Sequence, residues 1–186
     1  MLISLTQFNI QRPEKVTYEF PLSNSVDLIN RIKSKGLKSF LATTDEVLVK
    51  NSIELKYEDL TEQKFADWLP YYKEKMEENH HDVLAKLEWY EDKKDFRLKG
   101  IFLYQNKKLV GSGIVRLAKD IADFEFKASD KINVSSKPSS SIGSIIEFLF
   151  LRLATKEGYK IASSRSRNAF GFFNTLEYLD YKLRFG

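Results

Sequence analysis

The chain has 186 residues, 42% hydrophobic and 13% aromatic, with 30 basic and 26 acidic side chains and a net charge of +4. That length bounds it to one well-buried domain with a small extension, and only 8 Gly and 4 Pro exclude a disordered or loop-dominated chain. The absence of cysteine excludes disulfides, thiolate metal sites and a cysteine nucleophile, and the scattered charges form no stripe of the kind that grips a nucleic-acid backbone.

In chain order, residues 2–9 and 15–20 read as strands, and Val26, Ile29 and Ile32 at helical spacing predict a short helix over 26–35 ended by Gly36. Residues 39–42 and 46–49 read as extended. Residues 1–51 form an N-terminal extension or accessory lobe in this reading, and 52–186 the main domain. Ile53, Leu55 and Tyr57 alternate with polar residues as in a half-buried strand. Thr61 then caps a helix carrying Phe65, Trp68, Leu69, Tyr72 and Met76 on one face. Pro70 inside that pattern means that the helix is kinked or begins again there. Asn79 is placed as the cap of a second helix through Val83, Leu84, Leu87 and Tyr90. Three antiparallel strands follow at 100–105, 109–117 and 122–128, the first two joined by a polar turn at 105–108.

The chain is organised around residues 135–158. A run of small polar residues, Ser135 to Ser144 with one glycine and one proline, leads into the most apolar helix of the sequence, 145–154. A helix start of this kind offers unpaired N–H groups and partial positive charge without bulky side chains, which is a phosphate cradle. Its bland counterpart is a linker followed by a core helix. Gly158 ends the helix as a C′ glycine, residues 159–163 resume as a strand, and an amphipathic helix closes the chain. The resulting fold class is α+β with a mixed central sheet flanked by helices. No apolar window reaches the ~20 residues of a membrane span and no secretory signal is recognisable, so the expected location is cytoplasmic.

The element order from residue 52 onward, with a small-residue loop entering a helix after the third strand of a meander, resembles the GNAT N-acetyltransferase superfamily. Lys107-Lys108-Leu109-Val110-Gly111-Ser112-Gly113 looks like the hairpin that precedes that superfamily's acyl-CoA-binding strand. The resemblance implies acetyl-CoA or another acyl-CoA as co-substrate, no metal, and a small-molecule or peptide amine as acceptor. It places the donor's pyrophosphate on backbone amides of Ser139, Ser140, Ser141, Ile142, Gly143 and Ser144. Here the sequence departs from the superfamily's glycine-rich signature. Residues 160–167, with Ser164-Arg165-Ser166-Arg167, and the ending Tyr181-Lys182-Leu183-Arg184-Phe185-Gly186 resemble FemAB-type and cellulose-biosynthesis-associated acyltransferases of the same fold. That second resemblance implies aminoacyl-tRNA as an alternative donor, with tRNA as partner. A third reading is a non-catalytic binding or assembly module on the same fold.

By the same resemblance, Tyr178 or Tyr181 protonates the leaving thiolate with Asn168 as a helper; core packing is the structural alternative. Glu125, read as pointing away from both Phe124 and Phe126, is either a general base or a solvated strand residue. Arg165 and Arg167 alternate on one face, suited to a phosphate or carboxylate of the substrate or to surface ion pairs. The adjacent His80 and His81 point to different helix faces and lack a third ligand, so they mark a polar boundary rather than a metal site. The chain stops about where such domains add one more strand, which leaves either a strand supplied from elsewhere or a free C-terminal sheet edge for a homodimer.

Overall fold

A computed structural model describes residues 16–22, 28–132, 134 and 141–166, with 16–20 and 164–166 described by their backbone. Six strands form one sheet: β1 (Val16–Pro21), β2 (Ile53–Asp59), β3 (Arg97–Gln105), β4 (Lys108–Ala118), β5 (Ile121–Ser129) and β6 (Ile161–Ser166). Their spatial order is β1-β6-β5-β4-β3-β2, and every neighbouring pair is antiparallel except β5 and β6. The helices are α1 (Leu28–Arg31), α2 (Lys35–Ala42), α3 (Thr44–Lys50), α4 (Glu62–Glu78), α5 (Leu87–Lys93) and α6 (Ile142–Lys156).

Two apolar clusters separate the layers. Ile32, Leu37, Phe40, Leu41 and Leu48 from α1–α3 and its turns join α6 in a single core with Ile101, Leu103, Val115 and Phe124 of the sheet. On the other face Phe65, Trp68 and Tyr72 of α4 pack with Phe102, Ile114 and Phe126, and Trp89 and Tyr90 of α5 lie against them. These are the apolar positions that helical spacing put on one stripe of α4, with Thr61 accepting from Lys64 N–H as its N-cap. Pro70 lies within one unbroken helix rather than at a restart.

Three short-range readings differ from the structure. Residues 39–42 and 46–49 are helical, because Ser34 caps α2 and places Leu37, Phe40 and Leu41 inward together. Gly36 therefore sits in the first turn of α2 instead of ending a helix. Asn79 is the C-cap of α4, its side chain donating to Lys75 C=O at 2.7 Å, and α5 begins only at Leu87. The turn between β3 and β4 is as read, with Asn106 and Lys107 both at positive φ (51° and 64°), the backbone that a tight two-residue hairpin demands.

β1 runs antiparallel to β6, Val16 opposite Ser166 and Pro21 opposite Ile161. β6 is therefore an interior strand among the described residues: β1 occupies the side of it that a free sheet edge would have left open. Among the described residues no helix is long and apolar enough to cross a membrane.

At the C-terminal end of α4, Lys75 is 5% exposed and ion-paired with Glu74 and Glu78 at 2.8 Å and Asp130 at 3.3 Å. Tyr71 donates to the same Asp130 carboxylate at 3.3 Å. Burial, followed by the Asp130 charge, holds the Tyr71 hydroxyl well above the usual phenol range, and burial pushes Tyr57 up to about 12. A raised phenol binds its proton more tightly folded than unfolded, so stability is intact below pH ~10 and is lost as pH rises from there through the folded values. Denaturant midpoints measured from pH 9 to 12 should fall in that window, and fall less in Tyr57→Phe; an identical profile in the variant would contradict this assignment.

Candidate functional site

The site depends on one extra residue in β5. Ile114 lies opposite Phe126 and Val115 opposite Phe124, so Glu125 has no partner of its own and forms a β-bulge. Strand side chains alternate, so an inserted residue exchanges the two faces beyond it. Phe124 stacks on Phe150 of α6, with centroids 4.8 Å apart, whereas Phe126 packs edge-on against Trp89, also 4.8 Å, on the opposite side of the sheet. The sequence reading that set both phenylalanines on one face is thereby corrected. Beyond the bulge it is Lys127 and Ser129, not Phe126 and Ala128, that face α6.

The same place is where the sheet divides. β5 and β6 are in register from Ile121 and Ile161 to Phe124 and Ser164. From there β5 continues to Ser129 against β4, while β6 continues to Ser166 against β1. A wedge opens between the two parallel strands immediately after the bulge.

The N-terminus of α6 lies beside the diverging part of β5. Ser141 is its N-cap, the side-chain Oγ accepting from Ser144 N–H at 3.2 Å and lying 3.1 Å from Ser144 Oγ. A Cβ on Gly143 would stand 3.4 Å from Ser129 Oγ, 3.8 Å from Ser141 Oγ and 3.9 Å from Lys127 Nζ. Gly143 thus sits among two hydroxyls and an ammonium. Lys127 in turn donates to Glu147 Oε1 at 3.0 Å, and Glu147 is 6% exposed on the second turn of α6. First-turn N–H groups of a helix lack intrahelical acceptors and carry partial positive charge. Together with Lys127, itself ion-paired with Glu147, they give a donor-rich surface of the kind that can face a phosphate group. Ile142 contributes backbone alone, since its side chain is wholly buried in the core.

α6 can approach this closely because β4 is bare on that side. A Cβ on Gly111 would come within 2.9 Å of Ile146 Cδ1, and one on Gly113 within 2.5 Å of Phe124 Cε2 and 3.0 Å of Ile146 Cγ2. Ser112, between them, faces the other way and accepts from Trp68 Nε1 at 2.8 Å.

Glu125 itself lies on the α4–α5 side, its side chain 9% exposed. Arg116 of β4 donates through Nε to Glu125 Oε1 at 2.8 Å and through Nη2 to Asp123, while its guanidinium lies 4.9 Å from the Phe96 ring centroid. Two carboxylates thus share the Arg116 guanidinium. Of the other residues singled out from sequence, Ser141, Gly143 and Ser144 are brought together. Ser139, Ser140, Asn168, Arg167, Tyr178 and Tyr181 lie outside the described residues, and Arg165 is placed by its backbone opposite Thr17 of β1. Sequence reasoning missed Lys127 and Ser129, because no residue type marks the bulge that turns them toward α6. Among the described residues no group of three His, Asp or Glu side chains is arranged to hold a metal.

No protein-family model matches the sequence, and no curated protein matches it. Among solved structures, FemX superposes with a TM-score of 0.66 at 8% identity, over 94% of this chain and 58% of that one. The fold is GNAT-like. A conserved protein of unknown function from Bacteroides thetaiotaomicron superposes at 0.57 with 14% identity, over 95% of this chain and 59% of the other. L-PGS from Bacillus licheniformis does so at 0.55 with 7% identity, over 92% and 58%. The chain spans less than two thirds of the length of each of these structures.

Proposed function

We propose that the chain is an acyltransferase domain that holds a phosphate-bearing acyl donor at the start of α6 and transfers the acyl group to an amine of a small molecule or peptide. The observation that carries this reading is the bulge at Glu125, which turns Lys127 and Ser129 toward Gly143 where β5 and β6 part.

In this reading the N–H groups of Ile142 and Gly143, the Ser129 and Ser141 hydroxyls and the Lys127 ammonium hold the donor's phosphates, with Ser139 and Ser140 extending the cradle. An acyl-CoA supplies the activated thioester. Backbone N–H groups of β5 beyond Phe124, on the edge that β6 leaves, donate to the carbonyl oxygen as it gains charge. The neutral amine attacks the carbonyl carbon, the carbon–sulfur bond breaks, and the thiolate takes a proton from Tyr178 or Tyr181, with Asn168 assisting. Glu125, oriented by Arg116, takes the amine proton through water. Arg165 and Arg167 bind a phosphate or carboxylate of the acceptor.

The likeness to FemX over 94% of this chain favours a second reading, in which the donor is an aminoacyl-tRNA and the cradle takes a phosphodiester of its 3′ end. Calorimetric titration with acetyl-CoA, with coenzyme A and with charged tRNA, at low and moderate salt, distinguishes the two. Saturable one-site binding of acetyl-CoA, abolished by Gly143→Pro and weakened by Lys127→Met in proteins whose circular dichroism is unchanged, is the expected result. Heat from charged tRNA alone, with a strong salt dependence, selects the second reading. No heat from any of the three overturns both.

A further inference from the structure

The other end of α6 borders a cavity of about 370 Å³ lined by Leu28, Tyr57, Lys99, Arg152, Leu153, Thr155, Lys156 and Glu157. That size lies near the lower end of the range for small-molecule sites. α6 has 15 residues, so this cavity and the Gly143 cradle lie at opposite ends of a helix about 20 Å long.

Its chemistry is specific. Three cations, Lys99, Arg152 and Lys156, line it against one carboxylate, Glu157. Lys99 is only 13% exposed and is shared at 3.5 Å and 3.6 Å between Glu157 and Asp59, and Arg152 donates to Asp45 at 2.7 Å. Among the described residues no carboxylate lies within 4 Å of the Lys156 ammonium. A helix C-terminus ordinarily repels anions, but here three carbonyls of the last turn are occupied: Leu153, Ala154 and Thr155 accept from the N–H groups of Glu157, Tyr159 and Gly158 at 2.9, 3.0 and 3.1 Å. Side chains therefore set the polarity of the cavity. Thr155 lines it, although the Oγ1 of that residue is itself shielded from solvent. Tyr57, whose hydroxyl keeps its proton, is a neutral donor, reaching Leu149 C=O at a long 3.4 Å.

We propose that this cavity is a second ligand site, separate from the acyl-donor cradle, for a small metabolite-sized anion bearing a phosphate or carboxylate group. The anionic group sits against Lys156 and Arg152, Tyr57 donates to one of its oxygens, and Leu28 and Leu153 cover a short apolar part.

The test is a titration of the full 15N-labelled chain, at fixed ionic strength, with orthophosphate in one arm and succinate in the other. Saturable one-site shifts at Tyr57, Lys99 and residues 152–157 are expected in at least one arm, and the responding arm names the anionic group. Lys156→Ala should weaken that binding by about tenfold, and Gly143→Pro should leave it unchanged, which separates this site from the cradle. Tyr57→Phe is the second variant: it should weaken binding while leaving the circular dichroism of the unliganded chain unchanged. Shifts confined to residues 141–147, shifts that never saturate, or binding indifferent to both Lys156→Ala and Tyr57→Phe would overturn the proposal.

Discussion

Deleting Lys127 is expected to destabilise the fold severely, whereas deleting its neighbour Glu125 is expected to be tolerated. Glu125 has no partner in β4, so without it Phe124 still meets Val115, Phe126 still meets Ile114 and Lys127 still meets Gly113. Strict alternation from Phe124 then keeps Phe126 beside Trp68, Tyr72 and Trp89 and Lys127 on the α6 side. The extra twist of the bulge and the 2.8 Å contact with Arg116 are lost, at about 1–3 kcal/mol. Lys127 has a partner, and its deletion leaves two outcomes. If the bulge is used up, Phe126 comes opposite Gly113 and leaves its aromatic cluster; if the bulge is kept, Ala128 and Ser129 exchange faces. Removing a buried Phe costs about 3–5 kcal/mol against a whole-domain stability of ~5–15 kcal/mol. Circular dichroism and urea titration of the two proteins decide the matter, and equal midpoints would show that the register with β4 does not set the faces.

Gly113→Val is the second large effect. The first carbon of the new side chain already meets Phe124 Cε2 at 2.5 Å and Ile146 Cγ2 at 3.0 Å, and both neighbours belong to the close-packed core. Neither can swing into open space, so α6 must lift from β4, at a cost of about 3 kcal/mol or more. Gly143→Ala offers the contrast, because its new carbon stands 3.4 Å or farther from every neighbour outside its own turn and should change stability little. Denaturation midpoints at constant m-value give both numbers; equal effects would mean that the close approach of α6 to β4 is not what Gly113 provides.

Much of this architecture was legible where one residue type answers to one local demand. α6 was readable because its apolar residues leave almost no polar face, and its end because Gly158 takes a φ of 80° that other residues avoid. α4 was readable from the spacing of Phe65, Trp68 and Tyr72. What was not legible depends on distant partners. α2 and α3 are 8 and 7 residues long, too short for periodicity to distinguish them from strands, and their helicity rests on packing beneath α6. The bulge leaves no composition mark at Glu125, so alternation alone sets Phe124 and Phe126 on one face, which the structure separates. The start of the cradle was visible as a run of serines before a helix, yet its ammonium comes from a strand whose register only the sheet defines. Nor did anything in residues 16–21 announce a partner at 161–166.

That last pairing has a consequence for the order of assembly. Val16 meets Ser166 across 150 positions of chain, whereas the β3–β4 and β4–β5 hairpins close over short turns. Closing so long a loop is entropically demanding, so the hairpins form early and the β1–β6 ladder late. On the ribosome β1 emerges first and finds its neighbour last, since β6 is made only after the rest of the described sheet. The wedge between β5 and β6 is therefore a late-forming feature: competence to bind there arrives with the final seam of the fold, not with its first stable core.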